Sequence, residues 1–171
     1  MKPPLEGTAT SLATQGYDPA AAKSGIQFGF NAQLTCTNIY KHILKLSNIS
    51  PLQQKWDVTT GGAIDSSAPA VANGLVYFCS FDHKLYAFNA LTGAFQWASL
   101  TAGDIHSSPT VANGLVYVGS DAGKLYVFDA LTGPLQWTAS AQNRIVCSPT
   151  ISNGWVYVGS WDHKLYAFSL P

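Results

Sequence analysis

The chain has 171 residues and a mass of 18.2 kDa, the length of one ordinary domain. Charged residues make up 11%, against about 25% in typical globular proteins, while apolar residues reach 47% and aromatics 12%, which excludes a disordered chain. Nine Lys and Arg balance nine Asp and Glu, so the broad positive field of a nucleic-acid or anionic-membrane binder is missing.

From the N-terminus, Met1 to Thr8 holds one basic residue and no apolar stretch of the kind an export signal needs, and no signal peptide is visible. No apolar run approaches the roughly 18 residues that would suggest a membrane helix. Asp18-Pro19-Ala20-Ala21-Ala22-Lys23 reads as one capped helical turn before Gly25. Residues 36–44 lack alternation, so 1–50 is expected to be a mostly irregular lead-in. Asn48-Ile49-Ser50 fits a glycosylation sequon, which carries little weight alone. The three cysteines, Cys36, Cys79 and Cys147, form no CxxC and have no His at ligand spacing, so neither a disulfide framework nor a zinc site is indicated.

Beyond residue 50 the chain repeats itself. Pro69 to Tyr77 (PAVANGLVY) returns as Pro109 to Tyr117 (PTVANGLVY) and as Pro149 to Tyr157 (PTISNGWVY), a period of 40 residues. Lys84 to Phe88, Lys124 to Phe128 and Lys164 to Phe168 keep the period, as do Trp97 and Trp137; Trp56 lies one residue out of step, with Ala68 as the expected insertion. Within the middle unit, residues 107–112, 115–120, 124–129 and 134–140 read as four short strands rich in Val, Tyr, Phe and Trp. Asn113-Gly114 is the dipeptide of a type I′ hairpin, whose two central residues both need φ > 0. Val116, Val118, Leu125 and Val127 alternate with Leu115, Tyr117, Tyr126 and Phe128, so both faces of the sheet are apolar and each needs a neighbour. Radial stacking of such sheets is a β-propeller, and the expected fold is all-β with four-stranded antiparallel blades.

Ala87-Phe88-Asn89-Ala90-Leu91-Thr92-Gly93-Ala94-Phe95-Gln96-Trp97 and Val127 to Trp137 (VFDALTGPLQW) resemble the tryptophan-docking motif of pyrroloquinoline-quinone (PQQ)-like propeller repeats, over roughly residues 52–168. Gln27 to Asn31 and Leu46 to Trp56 resemble the lead-in of bacterial proteins with such repeats. The resemblance implies that Trp56, Trp97 and Trp137 each dock on the next blade's motif, with Thr92, Gly93, Thr132 and Gly133 forming the docking turns. It also implies a periplasmic or extracellular location where further sequence precedes the N-terminus.

PQQ-dependent dehydrogenases share the repeat, and the resemblance would give such an enzyme an Asp base, a Ca²⁺-binding carboxylate and often a vicinal Cys-Cys disulfide. The sequence has no adjacent Cys pair and no carboxylate cluster; its acids sit mostly at turns, where Asp bonds its own backbone. No catalytic residue is assigned and no cofactor is expected, PQQ with Ca²⁺ belonging only to the dehydrogenase alternative. Asp82-His83 and Asp162-His163 share a turn whose middle copy is Ala122-Gly123; the plainer reading is a left-handed turn residue, and no metal is assigned.

Positions that differ between copies are more telling. The entry to the first strand reads Ala63-Ile64-Asp65-Ser66, then Asp104-Ile105-His106-Ser107, then Arg144-Ile145-Val146-Cys147. This entry is expected to face the central channel, which makes Asp65, Asp104, His106 and Arg144 the candidate ligand or channel-lining residues. Cys79 stands where the other copies have Gly119 and Gly159.

Counting residues 52–59 as an extra outer strand gives twelve strands, about three blades near 60–100, 101–140 and 141–171, where closed propellers have roughly four to eight. The expectation is a non-catalytic binding or scaffold module, either part of a longer propeller or completed by a protein partner or by self-association; a dehydrogenase fragment is the alternative.

Overall fold

The computed structural model describes residues 53–169. They form three antiparallel sheets in chain order. The first is β1 (Ala70–Ala72), β2 (Leu75–Ser80), β3 (Lys84–Asn89) and β4 (Phe95–Leu100). The second is β5 (Thr110–Ala112), β6 (Leu115–Ser120), β7 (Lys124–Asp129) and β8 (Leu135–Ser140), and the third β9 (Thr150–Ser152), β10 (Trp155–Ser160) and β11 (Lys164–Ser169). Each is a meander whose strands pair in sequence order. The described residues contain no helix long and apolar enough to cross a membrane. The lead-in, with the helical turn expected at 18–23, Cys36 and the sequon at 48–50, lies outside the described residues.

Turn chemistry sets the registers. Asn73, Asn113 and Asn153 have φ of 51 to 52°, and the glycine after each has φ of 76 to 78°, which is the type I′ pair. At the second hairpin His83, Gly123 and His163 share φ of 66 to 71°, so the two histidines fill a position that the middle copy gives to glycine. At the third, Asp129 Oδ1 accepts from the Leu131 and Thr132 amides and the Thr132 hydroxyl, while Gly133 N–H donates to the Asp129 carbonyl. Asn89 Oδ1 makes the same three bonds with Leu91 and Thr92. These bonds hold the Asp129 carboxyl below the usual carboxylate range, those from Thr132 contributing most.

The structure corrects the sequence reading at three places. The first strand of the middle unit begins at Thr110 rather than Ser107, because Pro109 has no N–H to give a ladder and Ser107 bonds sideways. The Ser107 hydroxyl donates to the Gly119 carbonyl at 2.9 Å and accepts from its amide at 2.8 Å. Secondly, Ala68 is not the insertion. Its amide donates to Ser108 Oγ just as the Ser108 amide donates to Ser148 Oγ, so the two are equivalent. The extra residue falls before Ser67, where Ser66 takes φ of 61°, and Cys147 therefore corresponds to Ser67 and Ser107. Thirdly, residues 53–59 pair with no strand among the described residues, leaving eleven strands there in place of twelve. A β-ladder needs a partner on one edge, and among the described residues no strand lies beside this stretch.

Two seams hold the core. Leu75, Tyr77, Cys79, Leu85, Ala87 and Trp97 of the first sheet pack against Ile105, Val116, Val118, Tyr126 and Phe128 of the second. Tyr117, Leu125 and Val127, on the second sheet's other face, meet Ile145, Val156 and Val158. At this seam Gly119 leaves room for Ile145, whose Cγ2 would lie 2.3 Å from a Cβ there. The outer face of the first sheet is covered by Trp56 and Val58 over Val76, Phe78, Tyr86 and Phe88.

Trp97 lies across the first seam onto the turn of the second sheet. A Cβ on Gly133 would come within 2.7 Å of its indole, and its Nε1–H donates to the Ala130 carbonyl at 3.2 Å. Trp56 covers Gly93 in the same way, with a Cβ distance of 2.8 Å. Trp137 instead meets Phe168 edge-on at 5.7 Å between ring centres.

Two outcomes follow. Trp97→Ala empties the seam over Gly133 and is expected to cost about 3–5 kcal/mol in denaturant unfolding, a near-unchanged midpoint being the contrary result. The Asp129 carboxyl is depressed below its ordinary value of 3.8, so its contribution is complete above that pH and is lost as pH falls below it. Asp129→Asn keeps the acceptor, as Asn89 does, and should leave stability at pH 7 nearly unchanged while flattening its fall below pH 3.8. Parallel acid limbs for the two proteins would contradict this assignment.

Candidate functional site

The segment leading into each first strand runs beside a β-turn of its own sheet, because backbone bonds tie the two together. The Phe81 amide donates to Ala63 O, Asp121 to Asp104 O and Trp161 to Arg144 O, at 2.9 to 3.0 Å. Three turn residues of different chemistry, Phe81, Asp121 and Trp161, therefore sit against three lead-in segments that also differ.

Their side chains interlock within each unit and across the seams. His83 Nδ1 of the first sheet lies 2.9 Å from Asp104 Oδ1 of the second. The His106 ring stacks at a tilt on Phe81, 4.6 Å between centres, and its Nε2 is 3.5 Å from Asp121 Oδ2. Arg144 Nη1 is 3.5 Å from the same Asp121 oxygen, and the Arg144 guanidinium lies 5.3 Å from the centre of the Trp161 ring. Ser66, His106, Arg144, Val146, Cys147, Ser148 and Trp161 line an open pocket of about 430 Å³, so all three lead-ins contribute to it.

Of the four residues singled out from the sequence, Asp104, His106 and Arg144 thus come together through Asp121. Asp65 does not join them; it is exposed and unpaired among the described residues. The sequence reading places Asp121 among the turn acids and gives Trp161 no role. The available signal was that Phe81, Asp121 and Trp161 are equivalent positions with unlike side chains, the same signal that singled out the lead-ins.

Asp104, His106 and Asp121 offer ligand atoms within 4.8 Å of one another, a cluster formed from other residues than the two Asp-His pairs of the turns. A cation there would stand beside the Arg144 guanidinium, which already faces Asp121. At the other Asp-His turns, Asp82 and Asp162 instead accept from Tyr86 and Tyr166, each at 2.5 Å. PQQ, a tricarboxylate, does not fit the pocket either: among the described residues lining it the only fixed cation is Arg144, and Asp121 offsets that charge.

Residues 98–170 match the repeat family described as outer membrane protein assembly factor BamB. Residues 98–170 carry PQQ-like β-propeller repeats. No curated protein matches it in sequence. Among solved structures it is similar to BamB from Moraxella catarrhalis, with a TM-score of 0.61 and 19% identity over 68% of this chain and 36% of that one. A europium-containing methanol dehydrogenase gives 0.63 and 18% over 72% and 26%, and the computationally designed Ika4 protein 0.55 and 17% over 60% and 64%. The chain thus spans about a third of that BamB's length and a quarter of the dehydrogenase's. At these identities the structural likeness establishes the propeller fold alone.

The two described thiols differ sharply. Burial pushes Cys79 up to about 12, outweighing a small opposing effect of Ser67, whereas Cys147 is half-buried at the pocket wall. Alkylation of the native protein should label Cys147 and spare Cys79 until denaturant is added. Peptide mapping checks this, and early labelling of Cys79 would overturn the buried placement.

Proposed function

We propose that the chain is a non-catalytic binding module whose PQQ-like repeats present the pocket at Arg144 and Trp161 to a segment of a partner protein. The observation that carries the reading is the pairing at the rim. Asp104 faces His83, and Asp121 faces both His106 and Arg144, so the acids and bases that chemistry would need are engaged with each other. Such a network fixes side chains in place, which suits recognition, while Arg and Trp are the residue types that most often dominate binding energy. About 430 Å³ is room for one or two side chains of an incoming peptide.

A displayed peptide library selected on the full chain tests this. Binders are expected to lose about tenfold or more in affinity with Arg144→Ala and with Trp161→Ala, at unchanged thermal unfolding. Binders indifferent to both substitutions would overturn the assignment of the pocket. Titration with PQQ and Ca²⁺ addresses the dehydrogenase alternative: the expected result is no saturable change in the quinone absorbance. A saturable change that Arg144→Ala abolishes would replace the binding reading with a quinoprotein one.

A further inference from the structure

The rim pocket is one-sided in its hydrogen-bonding chemistry. Its polar side chains among the described residues are Arg144, His106 and the hydroxyls of Ser66 and Ser148, with no carboxylate in the lining. The neighbouring acids are engaged elsewhere or tucked away. Asp104 faces His83 at 2.9 Å, and Asp121, its side chain 13% exposed, meets Arg144 and His106 without joining the lining.

The donors, by contrast, are not used up. Arg144 Nη1 and His106 Nε2 each lie 3.5 Å from Asp121 Oδ2, longer than the roughly 2.7–2.9 Å of a charge-assisted hydrogen bond. Asp121 therefore orients these groups by charge while the N–H fork of Arg144, 48% exposed, stays available. Ser148 Oγ accepts from the Ser108 amide and keeps its own proton to give. A lining rich in donors and without a carboxylate acceptor selects a ligand that accepts. One guanidinium is its only fixed cation, and a planar fork can meet a second carboxylate on another edge, which suits one negative charge better than a phosphoryl dianion.

A carboxylate reaches such a site from an acidic side chain or from a chain terminus. Termini are typically captured by runs of free backbone N–H groups. Here the Arg144 amide donates to Asn143 Oδ1 and the Ile145 amide to Ser120 O, so both are already committed. We propose that the pocket takes the carboxylate of an Asp or Glu side chain within the partner segment, bound by Arg144 with the Ser148 hydroxyl and the His106 ring as further donors. This rests on the reading of the pocket as a peptide site and names the residue type that the site selects.

The test uses peptides selected on the full chain, synthesised with each acidic residue changed singly to its amide and measured by fluorescence anisotropy. In binders that need Arg144, one Glu to Gln or Asp to Asn change is expected to cost at least tenfold on the unaltered protein. On Arg144→Ala protein the same change should cost less than twofold, because the two losses are one interaction. Amidating the peptide's C-terminus should change nothing, and phosphoserine at the acidic position should bring no gain. Binders that need Arg144 but no acidic residue overturn the carboxylate assignment and leave the pocket reading standing. A tenfold loss on amidation, or a tenfold gain with phosphoserine, overturns it in favour of a terminus or a phosphate. Binders indifferent to both Arg144→Ala and Trp161→Ala remove the pocket reading and this inference together. Arg144→Gln, which removes the charge at similar length, serves if Arg144→Ala fails to fold.

Discussion

Everything in this structure depends on sheets that are apolar on both faces. A meander of four short strands cannot cover two faces by itself, so each sheet is stable only between neighbours, and the repeat is in effect a rule for stacking. The bond that fixes the stack is the convergence on the Ala130 carbonyl, which accepts from Trp97 Nε1 at 3.2 Å and from the Tyr77 hydroxyl at 2.9 Å. Two donors of the first sheet meet one acceptor of the second inside an apolar seam, where an unpaired polar group would cost most. Gly133 beneath the indole has φ of 91° and no Cβ to hold the ring away, so the close approach and the backbone conformation demand the same residue.

Against that constant frame, differences between copies separate into two kinds. Cys79 in place of Gly119 and Gly159 alters seam packing: Ile105 and Cys79 share the first seam, while at the second Ile145 occupies the space above Gly119. His83, Gly123 and His163 alter a turn without altering its φ, yet His83 also reaches Asp104 across the seam, so a residue admitted by the turn is recruited to the rim. Phe81, Asp121 and Trp161 differ where backbone bonds have already fixed the chain, and there side chains are free to be chosen for what they meet.

Most of the fold was legible because its determinants are local. Asn-Gly pairs, the Asn89 and Asp129 turns and the strand alternation each act within a few residues, and strands β6 and β7 fall on the residues expected. What the sequence hid depends on bonds between distant positions. Ser107 shortens the first strand by bonding Gly119, twelve residues away, and the insertion is located only by amides that reach serines 40 residues on. The rim was half legible: Asp104, His106 and Arg144 stood out as variable entries, but Asp121, which joins them, looked like an ordinary turn aspartate. Asp65 looked equivalent to His106, and the Ser66 insertion beside it shifts the local path away from the cluster.

The same stacking rule links the rim to the ends of the stack. Three rim contacts span a seam, His83 to Asp104 and Phe81 to His106 across the first and Asp121 to Arg144 across the second, so a lead-in gains partners where a neighbouring turn faces it. Asp65 belongs to the first sheet, whose outer face is met by Trp56 and Val58 and by no described turn of a preceding sheet, and it is the one candidate left unpaired. Trp161 belongs to the third, and among the described residues it remains 57% exposed with Arg144 against it. Among the described residues, the rim is thus most fully paired where two sheets meet, and the seams that bury the core also place its charged side chains.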